Sequence, residues 1–366
     1  LFTIVTVSAG DGVLMRAGSK RVLRQHSLLA GLVVAYGLIA TWLAQRYALS
    51  IEHEKVTVLV MHFLTKVPQI IFFVLLWRLL HHTYVVRSED RMAALKNDVR
   101  SFLSDRDRLF GGAIATLLMA LVLIFFAQIK SLIPTLMPFS WDEYFMELDR
   151  LLHFNTDPYS LLHTVLGGHY SLSFFTGMYN VWLLVVYFAL FASCFLRPDS
   201  AIRMQFLISF LLVWALGGNL LAIVFSSAGP PYYALLGLGD TFEPLMDLLR
   251  AHAATGALSV VDTQILLWDF YTAPNSINAI SAFPSMHVAS STLIAIFAFR
   301  LSRFAGYVMT AFAVVIMIGS VLLGWHYAVD GYVGAFLAVL VWKAVGLLIR
   351  PTMRRMDSSS HVPARL

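Results

Sequence analysis

Two short strings in this chain carry residue types that can do chemistry together. One is AFPSMH, Ala282 to His287, and the other is GWHYAVD, Gly324 to Asp330. His326 and Asp330 are four residues apart, so on a helix they share a face. A carboxylate that accepts from one imidazole nitrogen fixes the tautomer and leaves the other nitrogen free to attack. His287 supplies a second imidazole, able to protonate a leaving oxygen. Ser285, with the backbone N–H groups of a helix opening after Pro284, makes an anion cradle. A lone histidine at a membrane boundary is ordinarily an interfacial polar residue. Two of them, with an aspartate and a Pro-Ser turn at one depth, point instead to a phosphoryl-transfer site.

The elements that must bring the strings to one depth are membrane helices. Hydrophobic types make up 59% of the chain and charged types 13%, and the mean hydropathy is +0.75. A soluble domain runs at about 45–50% apolar and about 25% charged. A spanning helix needs about 20 mainly apolar residues. Such runs fall near 28–47, 56–80, 110–135, 173–195, 204–226, 282–299, 307–325 and 331–349. The sequence therefore predicts an all-α integral membrane protein with eight transmembrane helices. The run at 56–80 is the least regular, because it holds Lys66 and Pro68 should kink it. On this count Ser285 and His287 open the sixth span. His326 and Asp330 lie between the seventh and the eighth, on the same face of the membrane.

The net charge is +5. No basic patch interleaved with aromatics and no nucleic-acid module accompanies it, so nucleic acid is not an expected partner. The basic residues gather between alternate spans: Arg16 to Arg24, Arg87 to Arg108, Arg197 and Arg203, Arg300 and Arg303, then Arg350 to Arg355. This asymmetry predicts that both termini are cytoplasmic and that the histidine strings face outward. Short loops favour a bacterial inner membrane with the site on its periplasmic face. Residues 1–27 read as a cytoplasmic tail, within which 1–14 are too short to span and lack the charged start of a signal peptide. Residues 28–109 read as two extra spans and a basic segment, 110–350 as a catalytic core, and 351–366 as a cytoplasmic tail. The charges in 81–109 have helical spacing and predict a solvated surface helix. Within 138–172, Trp141, Phe145, Leu148 and Leu152 repeat at three to four residues and predict an amphipathic interfacial helix. The single cysteine, Cys194, excludes an internal disulfide and a cysteine-based zinc site. Twelve histidines offer no pair at ligand spacing with a third partner, so neither a metal nor a cofactor is expected.

The two strings resemble the signature of the type 2 phosphatidic acid phosphatase superfamily, which reads KxxxxxxRP, PSxH and SRxxxxxHxxxD. Pro284, Ser285, Met286 and His287 match its second part in full, and His326 and Asp330 match the end of its third. The resemblance covers residues 140–350 and implies a six-helix catalytic core. It implies that His326 forms a phosphohistidine, that Asp330 orients it, that His287 acts as acid and then base, and that Ser285 binds phosphate oxygens. The third part's serine and arginine fall on Gly319 and Ser320. The first part is missing: Leu190 stands where a lysine should precede Arg197-Pro198, and that pair is predicted on the opposite face. Charge in the transition state then needs other donors. The outward groups available are Lys130, Arg150, Arg250 and His169, with Arg250, just before the strings, preferred over Lys130. These departures resemble those of inositol phosphorylceramide synthases and related head-group phosphotransferases. GPPYY, Gly229 to Tyr233, is similar to their Pro-Pro-aromatic-Tyr motif and marks Tyr232 and Tyr233 as substrate or interface residues. A rigid aromatic anchor at the interface is the other reading of that string.

Three functions stay open on the sequence. The first is a membrane phosphotransferase that moves a head group or phosphoryl group from a lipid phosphate ester to a lipid alcohol. The second is a lipid or polyprenyl phosphate phosphatase that uses the same residues with water. The third is a non-enzymatic transporter or scaffold whose histidines line a path. The first two share a half-reaction and differ only in the acceptor. The sequence sets no oligomeric state.

Overall fold

The computed structural model describes residues 9–47, 53–256, 259–273 and 280–359, which hold helices and no strand. α1 (Ala9–Arg46) and α2 (His53–Tyr84) precede the short α3 (Arg91–Ser104), which leads into α4 (Arg106–Lys130). Asp90 and Asp105 open α3 and α4 by accepting from the N–H groups of Ala93 and Arg108, two of the donors that a helix start leaves unpaired. α1 runs from Ala9 through the segment expected as an N-terminal tail, because Leu14 to Leu29 contain no helix breaker stronger than a single glycine.

The segment after α4 holds α5 (Ile133–Leu136), α6 (Asp142–Leu152) and α7 (Pro158–Leu166). α8 (His169–Cys194) and α9 (Ala201–Ala215) follow, the latter continued by a π-helical turn, Leu216–Leu221, and α10 (Ala222–Val224). A 3₁₀ turn at Pro230–Tyr232, α11 (Glu243–Ala253) and α12 (Val261–Thr272) come next. The chain closes with α13 (Met286–Leu301), α14 (Arg303–Leu322) and α15 (Ala328–Ser359).

Six stretches among the described residues are long and apolar enough to cross a membrane: Lys20–Arg46, Arg106–Lys130, His169–Cys194, Ala201–Val224, Arg303–Leu322 and Ala328–Ile349. Eight are expected from hydropathy alone. The two remaining runs correspond to α2, which is not among the six, and to α13, which is apolar but only 16 residues long. α13 is the central helix, packed against α8, α9, α14 and α15. Ala289 and Leu293 are fully buried there, so its apolar character serves protein packing as well as lipid.

The helix ends sort into two groups. The C-terminal ends of α4 and α14 and the N-terminal ends of α13 and α15 meet at the histidine strings. At the opposite end, the fully buried Arg203 ties α1, α4, α8 and α9 together. Its guanidinium donates to Cys194 O at 2.9 and 3.1 Å and to Gly111 O at 2.8 Å, and lies 3.0 Å from His26 Nε2. Carbonyl dipoles thus replace the water that a buried cation loses. Higher up, Tyr36 of α1 donates to Asn219 Oδ1 in the π-helical turn, docking the first extra helix on the core.

Candidate active site

Ser285 starts α13 in an extended conformation, and its Oγ accepts from Val288 N at 3.4 Å. His287 follows on the first turn. Its ring lies against two aromatic rings of α8, Tyr179 at 4.4 Å and Trp182 at 4.0 Å between centroids. Trp182 Nε1 also donates to His287 O at 3.2 Å and to Ser290 Oγ at 3.0 Å. The second imidazole, two residues after Gly324, sits in the turn between α14 and α15. Gly324 has φ of 71°, a left-handed conformation that suits glycine. His326 Nδ1 is 3.3 Å from Asp330 Oδ2, and that oxygen also accepts from Tyr327 N at 3.1 Å. Asp330 is wholly buried. Burial lowers the His326 imidazole to about 3, against a backbone hydrogen bond at Ala282 that raises it. It is therefore neutral at ordinary pH, with a lone pair available.

The imidazoles of His287 and His326 stand 5.7 Å apart, centroid to centroid, at an angle of 62°. Both line one cavity of about 250 Å³, together with Phe126, Lys130, Trp182, Trp214, Tyr232 and Trp325. Lys130 is the last residue of α4. Its Nζ lies over the Phe126 ring, 5.8 Å from the centroid, and makes no ion pair among the described residues. Gly218, in the π-helical turn, also lines the cavity, and a Cβ there would stand 2.6 Å from Phe126. Single π-helical turns are frequent at functional sites. Such an arrangement can hold a phosphate on a cation, attack it with one imidazole and protonate the departing oxygen with the other.

Of the other expected residues, only Tyr232 lines the cavity. Arg250, preferred from the sequence as the phosphate donor, lies away from the cavity that Lys130 lines. Its guanidinium bonds Glu243 at 2.9 Å and Asp247 at 2.7 Å on its own helix, and it does not line the cavity. Arg150 is paired with Asp157 at 2.8 Å, and the His169 ring packs on His252. Ser285 is buried and holds the start of α13, and it is not part of the cavity wall. Tyr232 lines the cavity and donates to Gln264 O at 3.1 Å. Tyr233 is buried behind it against Phe242. Arg197-Pro198 lies beyond the far end of α8, about 20 Å along the helix from Trp182. Among the described residues no three His, Cys, Asp or Glu side chains converge as metal ligands would.

Two residues that the sequence reading passed over hold the site together. The apolar repeat from Trp141 to Leu152 predicts the face that α6 buries, but the buried face is Asp142, Phe145, Met146 and Asp149. Asp142 accepts from Ala228 N at 2.9 Å, Gly229 N at 2.7 Å and Tyr327 Oη at 2.9 Å. Asp149 accepts from Ala328 N at 2.6 Å and Val329 N at 2.8 Å. The first N–H groups of α15 are thus capped by a side chain from a different helix. One helix, α6, holds both the GPPYY turn and the string that carries His326. Burial raises both carboxyls, Asp149 to about 6. The available signal was the seven-residue spacing, which is two helical turns and puts both carboxylates on one face.

Neither a search of curated proteins nor one of solved structures returns a match. The family model of the PAP2 superfamily matches residues 143–344, a span that takes in α6 after Asp142, both histidine strings and more than half of the chain, and the protein belongs to that superfamily.

Proposed function

We propose that the protein is a membrane phosphotransferase that acts on lipid phosphate esters through a phosphohistidine on His326. The observation that carries this reading is the cavity shared by His287, His326 and Lys130. The imidazole nitrogen turned away from Asp330 attacks phosphorus, and the bond to the leaving alkoxide breaks as the P–N bond forms. His287, protonated when the anionic phosphate is bound beside it, gives its proton to that alkoxide. Lys130 offsets the charge on the phosphoryl oxygens. In the second half, His287 takes the proton of an acceptor hydroxyl, whose oxygen attacks phosphorus and releases His326.

The walls of the cavity support a lipid alcohol as the acceptor. Phe126, Trp182, Trp214, Tyr232, Leu267 and Ile280 leave little polar surface to hold a water nucleophile. The missing first signature part and GPPYY support the branch that resembles inositol phosphorylceramide synthases. The Lys/Arg asymmetry supports cytoplasmic termini and a periplasmic site in a bacterial inner membrane. A second reading, a lipid or polyprenyl phosphate phosphatase, rests on the full PSxH match at Pro284 to His287.

The deciding experiment is a paired assay on purified protein in lipid. A labelled phospholipid or lipid phosphate is incubated with and without ceramide, diacylglycerol or an inositol lipid. Label in a new, acceptor-dependent lipid is the expected result. Free phosphate released at the same rate with or without acceptor makes the protein a phosphatase. No turnover of either kind, with His326→Ala indistinguishable from the parent, removes the catalytic reading and leaves the scaffold.

A further inference from the structure

The end of the bundle away from the cavity carries a second lipid-shaped feature, and it lies on α3. This helix has no buried residue. Leu95, Val99 and Leu103 repeat every four residues along one face, and Lys96, Arg100 and Ser104 form a second row one residue on. Between these rows and Leu75 of α2 runs an open groove of about 470 Å³. Its apolar wall is uncovered: Leu103 is 60% exposed and Leu75 37%.

The charge on α3 points to what covers it. Asp98 is the only acidic residue of the helix, and it is neutralised from α2. Arg78 donates to it at 2.5 and 2.8 Å, and His82 Nε2 lies 2.6 Å away. Lys96 and Arg100 have no carboxylate partner among the described residues. A soluble anion would satisfy the two cations and leave the leucine row wet. An uncharged lipid would cover the row and leave the cations unmatched. A membrane lipid with an anionic head group does both.

We propose that the groove between α2 and α3 binds one anionic phospholipid, with its phosphate on Lys96 and Arg100 and an acyl chain along Leu75, Leu95, Val99 and Leu103. The site is separate from the catalytic cavity. Lys130 marks the cavity end of α4, and α3 precedes the other end of that helix, 25 residues away. The proposal therefore does not depend on the reaction catalysed.

The test places the full chain in phosphatidylcholine vesicles with a trace of phosphatidylglycerol that bears a photoactivatable acyl chain, and maps the label by peptide. Label is expected in Leu95–Leu103, at least about tenfold more than from the phosphatidylcholine analogue. The pair Lys96→Gln and Arg100→Gln should remove that preference. Arg300→Gln, an exposed arginine outside the groove, should leave it intact. Equal labelling from both lipids, equal labelling in the double variant, or equal loss in Arg300→Gln would overturn the proposal. Full displacement by millimolar inorganic phosphate would also overturn it, because the ligand would then be a free anion. An unchanged thermal midpoint in the double variant keeps a loss of labelling from being read as unfolding.

Discussion

Gly334 of α15 meets the Ser285 carbonyl at the head of α13: a Cβ built on Gly334 would stand 2.6 Å from that oxygen. Ala289 N would be 3.4 Å from the same Cβ, and Ser285 N donates to Asp330 O at 3.0 Å. α13, which carries His287, and α15, which follows directly on the turn that carries His326, are thus in backbone contact, with no side chain between them.

Gly334→Ala should therefore separate the two imidazoles. Helix propensity alone favours alanine by about 1 kcal/mol. A carbonyl oxygen in backbone contact cannot swing aside as a side-chain end can, so α13 and α15 must part. We expect turnover to fall at least about tenfold with little change in KM, since alignment of the reacting groups is lost and not lipid binding. Gly346→Ala is the control, because the nearest atoms there belong to the flexible end of Gln205. Equal effects from the two substitutions would mean that the Ser285 contact does not set the geometry.

His326→Ala should abolish turnover, by more than about a thousandfold, with the fold intact. The measurement is acceptor-dependent lipid turnover beside a melting curve. Trapping labelled phosphate on the protein at acid quench in the parent, and its absence in the variant, tests the nucleophile directly. Label retained in the variant would move the covalent step to another residue.

Lys130→Gln and Arg250→Gln separate the two candidate cations. Loss of a charge aimed at the transition state costs about 100- to 1,000-fold in turnover. That loss is expected at Lys130, which shares the cavity with the histidines, and not at Arg250, which is occupied by Glu243 and Asp247. The reverse result would show that α11 moves onto the cavity when substrate binds.

Asp149 gives the site a pH dependence. Burial raises its carboxyl to about 6, with Ala328 N and Val329 N opposing the shift, whereas a carboxyl in the unfolded chain titrates near 3.9. Between those values the folded protein holds the extra proton. The contribution of this group to stability is therefore full below about pH 4 and is lost as the pH rises through 6. Activity should run the other way. Only the ionised carboxylate offers acceptors on both oxygens to the start of α15. Turnover should fall as the pH drops through 6, with His153 and Asp157 nearby modulating the midpoint. Asp149→Asn places a donor against one of those N–H groups. It should be slow and flat from pH 5 to 7, while Asp149→Glu recovers part of the slope. A slope unchanged in Asp149→Asn would assign the titration to another group.

Much of this protein was legible before any tertiary contact was known. Burial in lipid is a local property of each run of about 20 residues, so six of the spans could be read one at a time. The pairing of His326 with Asp330 follows from helical spacing, and the short string Pro284 to His287 needs no partner to be recognised. Other features depended on residues far apart in the chain. Hydropathy counts α13 with the other spans and cannot tell that it is the central helix. The last cation before the histidine strings in sequence, Arg250, is occupied on its own helix, while Lys130 arrives from α4, more than 150 residues before His287. Asp142 and Asp149 look solvent-facing on an amphipathic helix, because a carboxylate is costly to bury unless its partners are waiting. Those partners are backbone N–H groups of residues 228, 229, 328 and 329, with the Tyr327 hydroxyl. Only the packed chain brings them within reach, so the sequence determined which residues have the chemistry to react and the tertiary structure decided what holds them in place.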